Sequence, residues 1–239
     1  MRPSPSRLRS SPHRLSGLIP TALLVLAGCS PSHVLAPLPA PETSLPINYS
    51  VEIDSTLDTP RNVRNSEATG TYRPGAPAPF SDAEAFQIVR RFVEHYAPVF
   101  RFRPGVDDFT PTWAQGENGI NLVKVQQTYL GLPVDVMGYG TAVLPNGHVG
   151  SMIGSFMADI HVSTIPLVRA ESAGARAVEA LEPTVVRLLG APRLTITTYD
   201  RVPRLTWTAI VAGGYGTWTV NVDAQRGTVL GVFPNFILN

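Results

Sequence analysis

The chain has 239 residues, with 19 Lys plus Arg against 18 Asp plus Glu, 44% hydrophobic side chains, 23 prolines and one cysteine. That length and apolar content suit one large domain or two small ones. The near-zero charge excludes the broad basic footprint of a nucleic-acid binder, and one thiol excludes a disulfide scaffold or a multi-thiolate zinc site within one chain. The averages mix unlike parts: Arg2, Arg7, Arg9 and Arg14 precede residue 29 with no acid among them, leaving 15 basic against 18 acidic groups.

Residues 1–17 are basic and rich in Ser and Pro, and Leu18–Ala27 is an apolar run of ten. As a helix that run spans about 15 Å, half the hydrocarbon thickness, so it reads as the core of a signal peptide and not as a transmembrane helix. Leu26-Ala27-Gly28-Cys29 follows at once and resembles the bacterial lipobox. The resemblance implies a signal peptide over 1–28 and lipid attachment at Cys29, which places the protein in the cell envelope, tethered to a membrane by acyl chains. Ser30 after the cysteine is similar to the pattern of lipoproteins sorted to an outer membrane. Residues 29–79 carry Pro31, Pro37, Pro39, Pro41, Pro46, Pro60, Pro74, Pro77 and Pro79. Proline removes backbone donors and favours extended geometry, so this stretch reads as a semi-rigid tether, with a weakly alternating patch over Ile47–Leu57 as a candidate edge strand.

The folded part is expected to open at Phe80. Ser81 and Glu84 have the spacing of a capping box. Beyond them Phe86, Val89, Phe92, Val93 and Tyr96 recur every three or four positions, opposite Gln87, Arg90, Arg91 and Glu94. The pattern predicts an amphipathic helix that packs on a core and stops near Pro98. Asn121–Tyr129, Leu132–Leu144 and His148–Phe156 alternate as strands, with Pro145-Asn146-Gly147 as a turn. Gly138 and Gly140 lie on one strand face, where glycine permits close approach of another element such as a covering helix. The order then repeats. Arg169–Leu189 reads as a helix through Ala173, Ala177, Val178, Leu181, Val185 and Leu188, kinked or divided at Pro183 and ended by Gly190. Strands are predicted at Leu194–Tyr199, Arg204–Ala212, Thr217–Asp223 and Thr228–Phe233. The expected fold class is α+β, two small subdomains over 80–160 and 161–239, each a helix packed on an antiparallel sheet.

Val125-Gln126-Gln127-Thr128-Tyr129-Leu130-Gly131-Leu132-Pro133-Val134, followed by Asn146-Gly147, Val149, Ser151 and Gly154, resembles the signature of the fungalysin/thermolysin propeptide (FTP) domain. Leu205-Thr206-Trp207, Trp218 to Ala224, Gly227, Val229 and Leu230 resemble the PepSY domain that follows FTP in those precursors. Each of these residues also has a fold-level reading: Asp223 can accept bonds from turn amides, and Trp207 and Trp218 can anchor a small core. The resemblance implies an intramolecular chaperone and inhibitor, here acting in trans on an exported thermolysin-like metalloprotease.

No catalytic apparatus is expected. None of the histidines at 13, 33, 95, 148 and 161 begins a His-Glu-x-x-His motif, and neither a phosphate loop nor a nucleophile elbow is present. His95, His148 and His161 fall in different elements, so neither a metal site nor a cofactor is expected of them. Asp107-Asp108 read as solvated loop carboxylates. The candidate partner-binding residues are Val232, Phe233, Phe236, Ile237 and Leu238, an apolar tail suited to strand pairing with another protein. Rival readings are a structural or adhesive envelope module that uses exposed sheet edges, or a PepSY-like part that binds a small ligand as a periplasmic sensor, marked by an apolar pocket with few polar groups.

Overall fold

In the computed structural model, the Ser81 hydroxyl accepts the Glu84 amide (3.3 Å) and the Glu84 carboxylate accepts the Ser81 amide (2.9 Å). This reciprocal cap starts α1, Asp82–His95. Ser81→Ala is expected to cost about 1 kcal/mol, read as a lowered denaturation midpoint. The structure describes residues 40–68, 71–181, 186–213 and 216–235. The signal peptide and Cys29 lie outside the described residues. Val89 and Val93 of α1 are fully buried, as the stripe predicts. Tyr96 caps the helix, and Pro98 sits in the first turn of a short successor, α2 (Ala97–Phe100), where its missing donor costs nothing.

The region read as tether contains a hairpin of the sheet. Strands β1 (Tyr49–Asp54) and β2 (Thr59–Asn65) pair, and β2 continues onto a later strand. Val63 is wholly buried, the Thr59 hydroxyl donates to the Phe156 carbonyl (2.8 Å), and the Tyr49 hydroxyl donates to the Val149 carbonyl (2.9 Å). The folded part therefore begins before Phe80. Pro60 is tolerated because it lies beside a register shift, where a ladder donor is dispensable. A second strand that composition hid is β3 (Asp107–Glu117), whose register shifts between Pro111 and Trp113.

Strands β4 (Ile120–Tyr129), β5 (Leu132–Val143) and β6 (Val149–Ser155) match the predicted meander. The antiparallel order is β1-β2-β6-β5-β4-β3. One face carries Phe109, Val123, Val125, Tyr139 and Met152 into a core shared with α1 and α2.

Helix α3 spans Ala170–Glu179, shorter than the predicted Arg169–Leu189. Pro183 cannot supply the donor that the Glu179 carbonyl needs, and Arg187–Leu188 is a short strand, β7. Strands β8 (Arg193–Thr197), β9 (Arg204–Gly213), β10 (Gly216–Asp223) and β11 (Val229–Asn235) follow. Ala173 and Ala177 of α3 pack on Ala209, Val211, Val220 and Val222 of β9 and β10. A parallel pair, Val134 with Ile196, joins β5 to β8, so a pairing path runs β1-β2-β6-β5-β8-β9-β10-β11, with β4 and β3 branching from β5 and β7 from β9. The architecture is α+β, a mostly antiparallel sheet with few helices. No helix among the described residues is long and apolar enough to cross a membrane.

Candidate partner-binding surface

The motif residues serve the fold. Gln127 is fully buried; its Nε2 donates to the Met157 carbonyl (2.8 Å) and its Oε1 accepts the Met157 amide (2.9 Å), so one side chain replaces a missing strand partner. Leu130 and Gly131, with φ of 47° and 83°, make the tight hairpin between β4 and β5. A Cβ on Gly138 would lie 2.0 Å from the Val125 carbonyl oxygen, and one on Gly154 would lie 2.0 Å from the Gly138 carbonyl oxygen. The close approach expected at Gly138 is thus made by neighbouring strand backbones, not by a covering helix. Asp223 Oδ1 accepts the Gln225 and Arg226 amides (2.8 and 2.9 Å), as expected of a turn carboxylate. Trp207 packs on both clusters around the second set of strands and donates its indole N–H to the Val168 carbonyl (2.7 Å). Trp218 is half-buried and belongs to neither cluster.

The titratable groups are arranged differently from the expectation. Asp107 is buried on β3, and its carboxylate accepts the Arg103 Nε (2.9 Å), Nη2 (3.1 Å) and backbone N–H (3.0 Å). These bonds raise the Arg103 guanidinium above its ordinary range and lock the chain entering β3. His95 and His148 converge, which their separation in sequence hides. They line one cleft of about 510 Å³ with Arg91, Tyr49, Phe92 and Tyr96, between α1 and the β5–β6 turn. Each imidazole faces a carboxylate instead of the other: His95 lies 3.4 Å from Glu42, and His148 lies 3.6 Å from Glu67. Among the described residues no three His, Cys, Asp or Glu side chains gather as metal ligands.

Burial lifts the Asp135 carboxyl above the ordinary Asp range. A raised folded-state pKa gives stability at low pH that is lost as pH rises through it. Asp135→Asn is therefore expected to be more stable than the parent at pH 7, with the gap closing towards about pH 3.5 in thermal melts.

The second set of strands ends in an open edge. Among the described residues β11 pairs with β10 alone, leaving its outer backbone groups unpaired. Val232 is half-buried against the α3 cluster, so it packs the fold and is not presented to a partner. Phe233 is 39% exposed, and its ring stacks on Tyr199 with centroids 5.0 Å apart and planes 18° from parallel. Asn221 donates to the Tyr199 hydroxyl, and burial raises the Tyr199 phenol above its ordinary range. Tyr199 stands in a short turn with Asp200 and Arg201, both at positive φ, so sequence periodicity gave no sign of this platform. Phe236, Ile237 and Leu238 lie outside the described residues. Pro234 has no N–H to give, yet β11 runs through it, pairing Pro234 with Trp218 and Asn235 with Thr217. The arrangement suits an added strand from another protein, with an aromatic pair fixing its position.

No protein-family model matches the chain, and no curated protein matches it in sequence. Among solved structures, the Bacillus megaterium YpeB C-terminal domain is similar over 77% of this chain and 80% of that chain, at 13% identity and a TM-score of 0.39.

Proposed function

We propose that the chain is a lipid-anchored envelope protein, held at Cys29 and more suited to an outer than an inner membrane. In this reading it acts in trans as inhibitor or folding chaperone of an exported zinc metalloprotease, and catalyses nothing itself. The FTP-like and PepSY-like motifs, over 80–160 and 161–239, supply the protease as partner. The observation that carries the reading is the open edge of β11 with Phe233 stacked on Tyr199. An edge strand gives main-chain affinity to an extended segment, and the aromatic platform gives register. The motif residues Gln127, Gly154 and Asp223 all have structural duties, which supports the edge over the motifs as the site of the proposed interaction.

The test incubates the full chain with a thermolysin-like protease from the same cell. Inhibition, or recovery of protease activity on joint refolding, is expected. Absence of inhibition, of assistance and of a complex would remove the proposal. Cys29→Ser is expected to move the protein from the membrane to the soluble fraction, and continued membrane association would remove the anchor. The cleft at His95 and His148 favours a second reading, a small-ligand-binding envelope module, because its volume and apolar floor match ordinary ligand sites.

A further inference from the structure

The face of the first sheet turned away from α1 bears a row of residues in register across four strands: Trp113 on β3, Lys124 on β4, Gly140 on β5 and Ile153 on β6. At ordinary strand spacing the row spans about 14 Å. Two hollows, about 410 and 300 Å³, meet at Lys124 and Gly140 and open to solvent. Large apolar side chains stand exposed around them: Trp113 at 47%, Ile153 at 59% and Val136 at 81%.

Gly140 is the informative member. Unlike Gly138 and Gly154, it has nothing that forbids a side chain: a Cβ there would meet only the Ile153 carbonyl oxygen, at 3.9 Å. Glycine in a central strand weakens the sheet, so a gap that packing does not require is a cost without a structural return. The gap leaves bare backbone between Trp113 and Ile153, where another chain can approach closely. Charge decides what approaches. Lys124 is the sole lysine of the chain. It makes no ion pair among the described residues. Neither hollow is lined by Asp or Glu. Exposed apolar groups around a polar centre mark a protein contact.

We propose that this trough docks an extended protein segment in which a carboxylate lies between apolar side chains. The carboxylate pairs with the Lys124 ammonium, and an apolar side chain fills the gap over Gly140 between Trp113 and Ile153. This contact is independent of the β11 edge.

Because Lys124 is the only lysine, reductive methylation with ¹³C-formaldehyde gives one side-chain amine signal that keeps its charge. A decapeptide alternating Leu and Glu, added to the full chain, is expected to shift that signal, while its Leu–Lys counterpart is expected to leave it in place. Fluorescence anisotropy with the labelled Leu–Glu peptide reads affinity directly. Lys124→Glu and Gly140→Val are each expected to weaken binding at least tenfold. Gly140→Val should keep or raise the thermal midpoint, which separates a filled trough from a damaged fold. Equal binding of both peptides, an undiminished shift in Gly140→Val, or self-association of the parent chain that Gly140→Val abolishes would overturn the proposal, the last by assigning the trough to a second copy. Loss of protease inhibition through the β11 edge would leave these results unchanged.

Discussion

Gln127→Ala is expected to destabilise the fold by about 3–5 kcal/mol, measured by chemical denaturation of the full chain. The side chain is fully buried and bonds both the amide and the carbonyl of Met157. Truncation leaves a cavity and two orphaned backbone groups at a site with zero exposure. Gln127→Glu separates the two contributions. Its carboxylate still accepts the Met157 amide, but its second oxygen faces the Met157 carbonyl in place of a donor. Folding then raises the carboxyl pKa, so stability is fullest below about pH 4 and falls as pH rises through the folded-state value. A loss for Gln127→Glu that is the same at pH 4 and pH 7 would contradict this assignment.

Gly154→Ala is expected to cost about 3 kcal/mol or more, because the added Cβ must displace backbone and not a flexible side chain. It would stand 2.0 Å from the Gly138 carbonyl oxygen and 2.9 Å from the Tyr139 Cα, so β5 and β6 must separate in the middle of their ladder. Gly138→Ala meets the same obstacle against Val125 and Gln126 of β4. Gly140→Ala is the control on the same strand: with free space above it, it is expected to be neutral or to gain up to about 1 kcal/mol. Equal losses at 140 and 154 would show that strand propensity, and not close backbone approach, governs these glycines.

Local chemistry made part of this fold legible. The Ser81–Glu84 cap and the Val89, Val93 and Tyr96 stripe are short-range features, and α1 follows them within a residue or two. The Leu130-Gly131 and Asn146-Gly147 turns likewise set β4, β5 and β6. What failed depended on partners distant in sequence. The alternation over Ile47–Leu57 marked β1 as an edge strand, but Pro60 made β2 look like tether, yet Val63 is buried because β6 and α2 bring it a core. Pro111 and Gly116 broke the alternation of β3, and a register shift absorbs the proline. Asp107 looked solvated until the chain turned Arg103 onto it. At the candidate surface, Phe233 was legible as an apolar tail residue, but its stack on Tyr199 links a strand and a turn more than thirty positions apart, which no local pattern encodes. Val232 failed as a contact residue for the complementary reason: adjacent strand positions face opposite sides, and its side faces α3.

The most direct measurement replaces Phe233 with a photo-crosslinking phenylalanine analogue in the full chain, irradiates intact cells and identifies the adduct by mass spectrometry. A His-Glu-x-x-His metalloprotease attached through position 233, and absent when the analogue stands at the exposed Gln87 on α1, is the expected result. Adducts that contain no such protease, or an equal yield from position 87, would contradict the assignment of the β11 edge as its binding site.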